Sequence, residues 1–243
     1  MAVRQQMHQW FSEPLGRDLL SLEQDRVDEA LSNLFGYHLV QIGCLNGRDF
    51  LKNSRILFKT ILKLQEDEDI ECSDCVICSS ESLAIASDSI DLVFTPHVLE
   101  YAASPHKLLR EIERVLIGDG HLVLVGYNPW SFWGLWRLVL AWRKIPPWYG
   151  HFYGLMRIRD WLSLLDFEIV KVERIFFRPP INNTMVMHKL KFLEKLGKYC
   201  WPIFGGVYII VAKKRIIPLT PIKIRWLDRR KVIASGVIEP GTN

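Results

Sequence analysis

Apolar positions recur along this 243-residue chain in two rhythms, one helical and one extended. Leu19, Leu20, Glu23, Val27, Ala30, Leu31 and Leu34 share one face of a helix that ends before Gly36. Leu39 to Ile42 is a short apolar run and predicts a first strand, followed by the turn Gly43-Cys44-Leu45-Asn46-Gly47. A short helix around Asp49 to Asn53, a second strand from Ile56 to Leu64, a loop over Gln65 to Asp69 and a third strand from Ile70 to Cys78 come next. The clearest stretch runs from Ser79 to Asn128. Ile90 to Phe94 predicts a fourth strand. Ser104 is placed to cap a helix opening at Pro105, with Leu108, Leu109, Ile112, Val115 and Leu116 on one face and a stop at Gly118. Leu122 to Val125 is apolar throughout, as a strand buried on both faces requires. Beyond it, the pattern predicts a helix over Ile158 to Leu165, a strand over Phe167 to Phe177, a helix over Lys189 to Tyr199 and a last strand over Val207 to Ala212.

Strand, helix and strand in succession make a βαβ unit. Ligands of such sheets lie beyond the carboxyl ends of the strands. Two of those ends are Thr95-Pro96-His97 and Tyr127-Asn128. His97 is therefore the best-placed side chain for a base or an orienting group, with packing over a helix edge as its plain structural alternative. Tyr127, Tyr149 and His151 are candidate substrate contacts or simply residues of a cap.

Composition narrows the class. The apolar fraction of 49% supports a core, so disorder is excluded as the general state. Met1 to Arg17 carries no charged-then-apolar leader, and no run approaches the roughly 20 apolar residues that span a bilayer. Five cysteines do not suggest a disulfide scaffold, and a bacterial cytoplasm is the expected location. The net charge of +4 is uneven. Lys213, Lys214, Arg215, Lys223, Arg225, Arg229, Arg230 and Lys231 face only Asp228, which leaves the remainder of the chain net negative. Such a tail suits an acidic partner, an acidic membrane or plain solvation, and no specific nucleic-acid motif accompanies it.

Between Trp130 and Trp161 the chain crowds aromatic residues, and WSFWGLWRLVLAW is apolar nearly all round before Arg143-Lys144. Three readings stand: a lid over a hydrophobic acceptor pocket, tryptophans filling core space, or a segment lying in a membrane interface. Cys72, Cys75 and Cys78 have C-x2-C-x2-C spacing, which suits iron–sulfur or zinc ligation. In a strand, however, residues three apart point to opposite faces, so no metal site is expected here.

The ordered set Leu83-Ala84-Ile85, Asp88 to Val93, Leu99-Glu100-Tyr101, Arg114-Val115-Leu116 and Gly118-Asp119-Gly120 resembles landmarks of the class I S-adenosylmethionine-dependent methyltransferases, type 11 domain. Within that class the chain looks most like the YafS-like branch of gammaproteobacteria. The resemblance implies a Rossmann-like, doubly wound α/β sheet of seven strands, mostly parallel with the last antiparallel, and helices on both faces. It implies a methyltransferase domain over residues 1–215, an aromatic cap at about 129–157 and a basic tail over 216–243. S-adenosylmethionine is the implied cofactor, a small hydrophobic or amphipathic molecule the implied acceptor. By the family's motif, Gln41, Gly43, Cys44 and Gly47 would border the methionine part of the cofactor, Ser79 and Ser80 the adenine, and His97 the transfer site. The sequence departs from the pattern at four places, one of them Ser79, followed by Ser80, where the family often has an Asp against the adenine amino group. Gln41 replaces a carboxylate, Leu45 replaces the middle glycine, and the second strand ends in Lys63-Leu64 with Glu66 two positions late. Each hydrogen bond lost to a buried ligand group costs about 1–3 kcal/mol. Two functions follow: methyl transfer through a rewired site, or a catalytically inactive member of the fold that binds a partner through its cap or tail. A nicotinamide dehydrogenase is disfavoured, since G-x-G-x-x-G is absent.

Overall fold

Leu15, Leu19, Leu20, Val27 and Leu31 line the buried stripe of the first long helix, α1 (Pro14–Ser32), whose opening proline is preset for a first turn. The computed structural model describes residues 9–43, 50–64, 75–140, 142, 147–182, 184–190 and 192–216. After α1 come β1 (His38–Ile42), β2 (Phe58–Leu64), β3 (Cys75–Cys78), β4 (Ile90–Pro96), α2 (Pro105–Val115) and β5 (Leu116–Tyr127). Then follow α3 (Phe132–Leu140), α4 (Leu155–Leu164), β6 (Phe167–Ile175), α5 (Thr184–Lys189), α6 (Phe192–Cys200) and β7 (Val207–Lys214).

The seven strands form one sheet in the order β3-β2-β1-β4-β5-β7-β6. β1 runs parallel to both β2 and β4, and β4 runs parallel to β5. β7 pairs antiparallel with β5 on one side and β6 on the other. The order reverses between β1 and β4, which places the switch-point crevice beyond Ile42 and Pro96. Asp91 explains how that crevice is aligned: its carboxylate accepts the backbone N–H groups of Tyr37 and His38, at 3.0 and 2.9 Å, and pins the start of β1 to β4.

Side chains alternate across the strands and build a core on each face. Leu39, Leu92 and Phe94 pack with α1 and the aromatic residues Tyr127, Trp133 and Phe176. Val40, Ile42, Val93, Leu122 and Leu124 pack with α2 and α4. The α2 face is as the periodicity predicts, with Leu108, Leu109, Ile112 and Val115 buried.

Several expectations change. Residues 50–53 form a turn rather than a helix, closed by a Ser54 N–H donated to the Leu51 carbonyl. Ser104 occupies the cap position of α2 but makes no side-chain cap bond. α2 ends at Val115, and Leu116 to Gly120 join β5, because pairing with β4 claims a stretch whose glycines read locally as a stop. The helix expected over Lys189 to Tyr199 is α6, which begins at Phe192, and a further short helix, α5, precedes it. On β3, Cys75 is half-exposed and Cys78 is buried. Residues 70–74 of the expected third strand, the loop before it and the tail over 217–243 lie outside the described residues.

Candidate functional site

The switch point is built from the ends of β1, β4 and β5 together with α1. Gly43 follows β1 at φ 85, a left-handed conformation that glycine adopts without strain. Its N–H donates to the Leu62 carbonyl at 2.8 Å, and its carbonyl accepts the Gln41 Nε2 amide at 2.9 Å. Gln41 thus braces the turn with one end of its amide. The other end, Oε1, is buried and has no hydrogen-bond partner among the described residues. The same holds for the Thr95 hydroxyl near the end of β4.

His97 lies one residue past β4 at φ 49, its N–H donating to the Val125 carbonyl at 3.0 Å. The ring is stacked on Tyr127 with centroids 4.1 Å apart. Its Nε2 meets Glu23 Oε1 at 2.9 Å, and Nδ1 faces Glu100 Oε1 at 3.6 Å. All four residues are buried. Burial alone would push the imidazole down, but the Glu23 and Glu100 carboxylates outweigh it and hold its pKa up to about 9. Burial first, then Tyr101 and the two carboxylates, raises the Tyr127 phenol well above its ordinary value. At neutral pH His97 is therefore an imidazolium, Tyr127 is a neutral phenol, and neither accepts a proton.

Glu100 anchors this arrangement to the sheet. Its Oε1 accepts the Tyr127 N–H at 2.8 Å, while Oε2 is buried without a partner. His97 Nδ1 and the Tyr127 hydroxyl are likewise without a hydrogen-bond partner among the described residues. Five buried polar atoms at the strand ends thus lack a partner among the described residues, far more than a small region of a native core ordinarily holds.

Of the sequence-predicted residues, the fold brings Gln41, Gly43 and His97 to this crevice. Ser79 and Ser80 lie past the end of β3, where Ser79 bridges to Ser82 and its hydroxyl accepts the Glu81 N–H at 3.3 Å. Ser80 is buried. Cys44 and Gly47, with Leu45 and Glu66, fall outside the described residues. Tyr149 is exposed and His151 uses its N–H to reach the Glu100 carbonyl at 2.9 Å, so Tyr127 is the one of the three that enters the cluster. Among the described residues no group of three or more His, Cys, Asp or Glu could hold a metal ion, and no helix is long and apolar enough to cross a membrane.

Glu23 and Glu100 are the residues that motif reasoning passed over. Each left a trace. Glu23 is a charged position on the otherwise apolar stripe of α1, and Glu100 sits inside the Leu99-Glu100-Tyr101 landmark.

Residues 40–124 match the family model described as a methyltransferase domain. The chain is 34% identical over 211 residues to the uncharacterized protein YafS of Escherichia coli K12, covering 87% of this chain and 82% of that one. In three dimensions it is similar to a SAM-dependent methyltransferase of Thermotoga maritima, with TM-score 0.58, 17% identity, and 80% and 89% of the two chains covered. A SAM-dependent methyltransferase of Archaeoglobus fulgidus gives 0.55 at 20% identity, covering 82% and 94%. The [4+2]-cyclase SpnF gives 0.53 at 17%, covering 79% and 80%. At these identities the structural likeness speaks for the fold.

Proposed function

Because the chain belongs to the methyltransferase-domain family that includes YafS, we propose that it transfers the methyl group of S-adenosylmethionine to a small hydrophobic or amphipathic acceptor. The supporting observation is the set of unpartnered polar atoms where β1 and β4 diverge. Gln41 Oε1 is a buried acceptor beside the Gly43 turn, and an ammonium or amide donor satisfies it. The Thr95 hydroxyl can donate or accept alongside. This donor and acceptor set fits a zwitterionic amino-acid moiety, with Gln41 doing by hydrogen bond what a carboxylate does by charge. Ser80 and Ser79 stand at the neighbouring strand end for the adenine.

The cofactor, when bound, supplies an electrophilic methyl on a sulfonium, so the protein's contribution is placement and exclusion of water. His97 acts as a fixed cation that orients the crevice rather than as a base. Glu23 and Glu100 hold it in place from either side. The aromatic wall of Tyr127, Trp133 and Phe152 keeps water from the acceptor side.

Calorimetric titration with S-adenosylmethionine and S-adenosylhomocysteine tests this. Micromolar binding is expected, weakened at least about tenfold by Gln41→Leu, the cost of one buried hydrogen bond, and abolished by Gly43→Val, which strains the turn. Absence of heat and of thermal stabilisation at millimolar ligand would remove the cofactor from this reading.

A further inference from the structure

The aromatic segment after β5 has two opposite faces. Trp133 is fully buried, stacked against Tyr127 with its indole N–H donated to the Arg178 carbonyl at 3.2 Å. On the other side Trp130, Leu135, Leu138 and Val139 are 73%, 59%, 76% and 61% exposed. The exposed side continues onto a second element. A depression of about 390 Å³ between Trp130, Phe132, Leu138 and Phe204 shares Phe132 and Phe204 with another of about 290 Å³ that reaches Leu193 and Trp201. A third, of about 370 Å³, shares Trp130 and extends to Met156 and Arg157. Asn128 makes this one platform, its amide donating to the carbonyls of Ile203 and Gly205 at 2.7 and 2.9 Å.

Charge along the two segments that build the platform is mostly basic, with Asp160 following the first and Asp18 3.5 Å from Arg178 in the second. From Gly120 to Arg159 the chain has no Asp or Glu, yet it carries Arg137, Arg143, Lys144, Arg157 and Arg159. Arg137 and Arg157 line the depressions, and neither pairs with a carboxylate among the described residues: Arg137 donates to the Gly150 carbonyl and lies over the Phe152 ring, and Arg157 lies over Trp161. From Arg174 to Ile216 the lone acidic residue is Glu194, and it is already held by Arg178 at 2.9 Å.

We infer that this platform is a docking face for an anionic lipid bilayer, with Trp130, Leu135, Leu138 and Val139 entering the interface and the arginines meeting phosphate. Tryptophan and arginine side by side are what an interface selects, one for its amphipathic ring and the other for the headgroups. Charge decides between this and the other occupants. A second copy would bring like-charged faces together. The segment 217–243 carries five cationic side chains against two carboxylates and would be repelled as well. The face does not depend on the methyl-transfer reading, although it would deliver an amphipathic acceptor beside the wall that Trp133 shares with Tyr127.

Flotation of the full chain with vesicles of phosphatidylglycerol and phosphatidylcholine, against phosphatidylcholine alone, reads the inference without reference to activity or cofactor. Partition onto the anionic vesicles is expected at least about tenfold higher, since each basic residue near the surface adds about 1 kcal/mol. The double substitution W130S/L138S, at exposed positions, should lower it by about tenfold or more. The tail substitutions K223Q/R225Q/R229Q/R230Q/K231Q should change it by less than about twofold on this reading. Tryptophan emission of the unaltered chain should be quenched by brominated acyl chains. Absence of flotation or of quenching overturns the inference. So does loss confined to the tail variant, or a lipid-free dimer that W130S/L138S dissociates.

Discussion

A histidine shielded from solvent, with a carboxylate on either side, keeps its proton where a free histidine would lose it. For His97 the sign of the linkage is fixed by its raised pKa of about 9 against an ordinary 6.5. The extra stability is complete below pH 6.5 and is lost as pH rises through 9, and its size is about 3 kcal/mol. His97→Asn is the suitable probe, because asparagine tolerates the φ of 49 at this position. At pH 6 it should destabilise the chain by about 3–5 kcal/mol, since Glu23 is left buried without its cation. The gap between the two proteins should then narrow by about 3 kcal/mol in denaturant titrations run up to pH 10. A gap that does not change with pH would mean that His97 folds neutral. Glu23→Gln should lower the His97 pKa, which imidazole proton chemical shifts report. The sequence made His97 legible through its place at a strand end, and Gln41 and Gly43 through their order around β1. It could not show that the cation at His97 is set by Glu23, because that pairing joins residues 74 positions apart and arises only when α1 closes over the sheet.

Elements were legible where local pattern and tertiary pairing agree. β4, α2 and the inner half of β5 carry apolar residues at the spacing their final burial demands, so the pattern alone places them. α5 was missed because Thr184 to Lys189 is too short a stretch to show a helical period. The α3 segment was ambiguous for a different reason: it is apolar on both faces, and only the fold says which tryptophan goes inside. Gly134 decides the seating, since a Cβ there would lie 1.8 Å from the Pro129 carbonyl oxygen. Two substitutions on this helix and its approach should therefore diverge. Trp133→Ala removes a fully buried indole packed against Tyr127, Trp148 and Phe176 and should cost about 3–5 kcal/mol. Trp130→Ser, at a mostly exposed position, should stay within about 0.5 kcal/mol. Chemical denaturation of the pair checks both. Equal losses would place Trp130 in the core and remove the outward face.

At the scale of the molecule, the segment that matches the methyltransferase-domain model, residues 40–124, holds only part of the sheet. It holds β1 to β5 without β6 and β7, and it omits the helix that covers one face of β1 and β4. Leu15, Leu19, Leu20, Val27 and Leu31 of α1 are all buried there. At about 1.5–3 kcal/mol for each buried aliphatic side chain, their burial is comparable to the entire stability of an ordinary domain. The same helix carries Glu23, so removing it also takes away the nearer of the two carboxylates that hold the His97 cation. A chain beginning at residue 34 should therefore lose its cooperative thermal transition and bind a hydrophobic dye, while retaining strand content by far-ultraviolet circular dichroism. Calorimetry would decide the matter. A cooperative transition near that of the full chain would make α1 an appendage, and would confine the candidate site to the residues that the family model spans. Its loss would make the helix outside that span a structural requirement of the site.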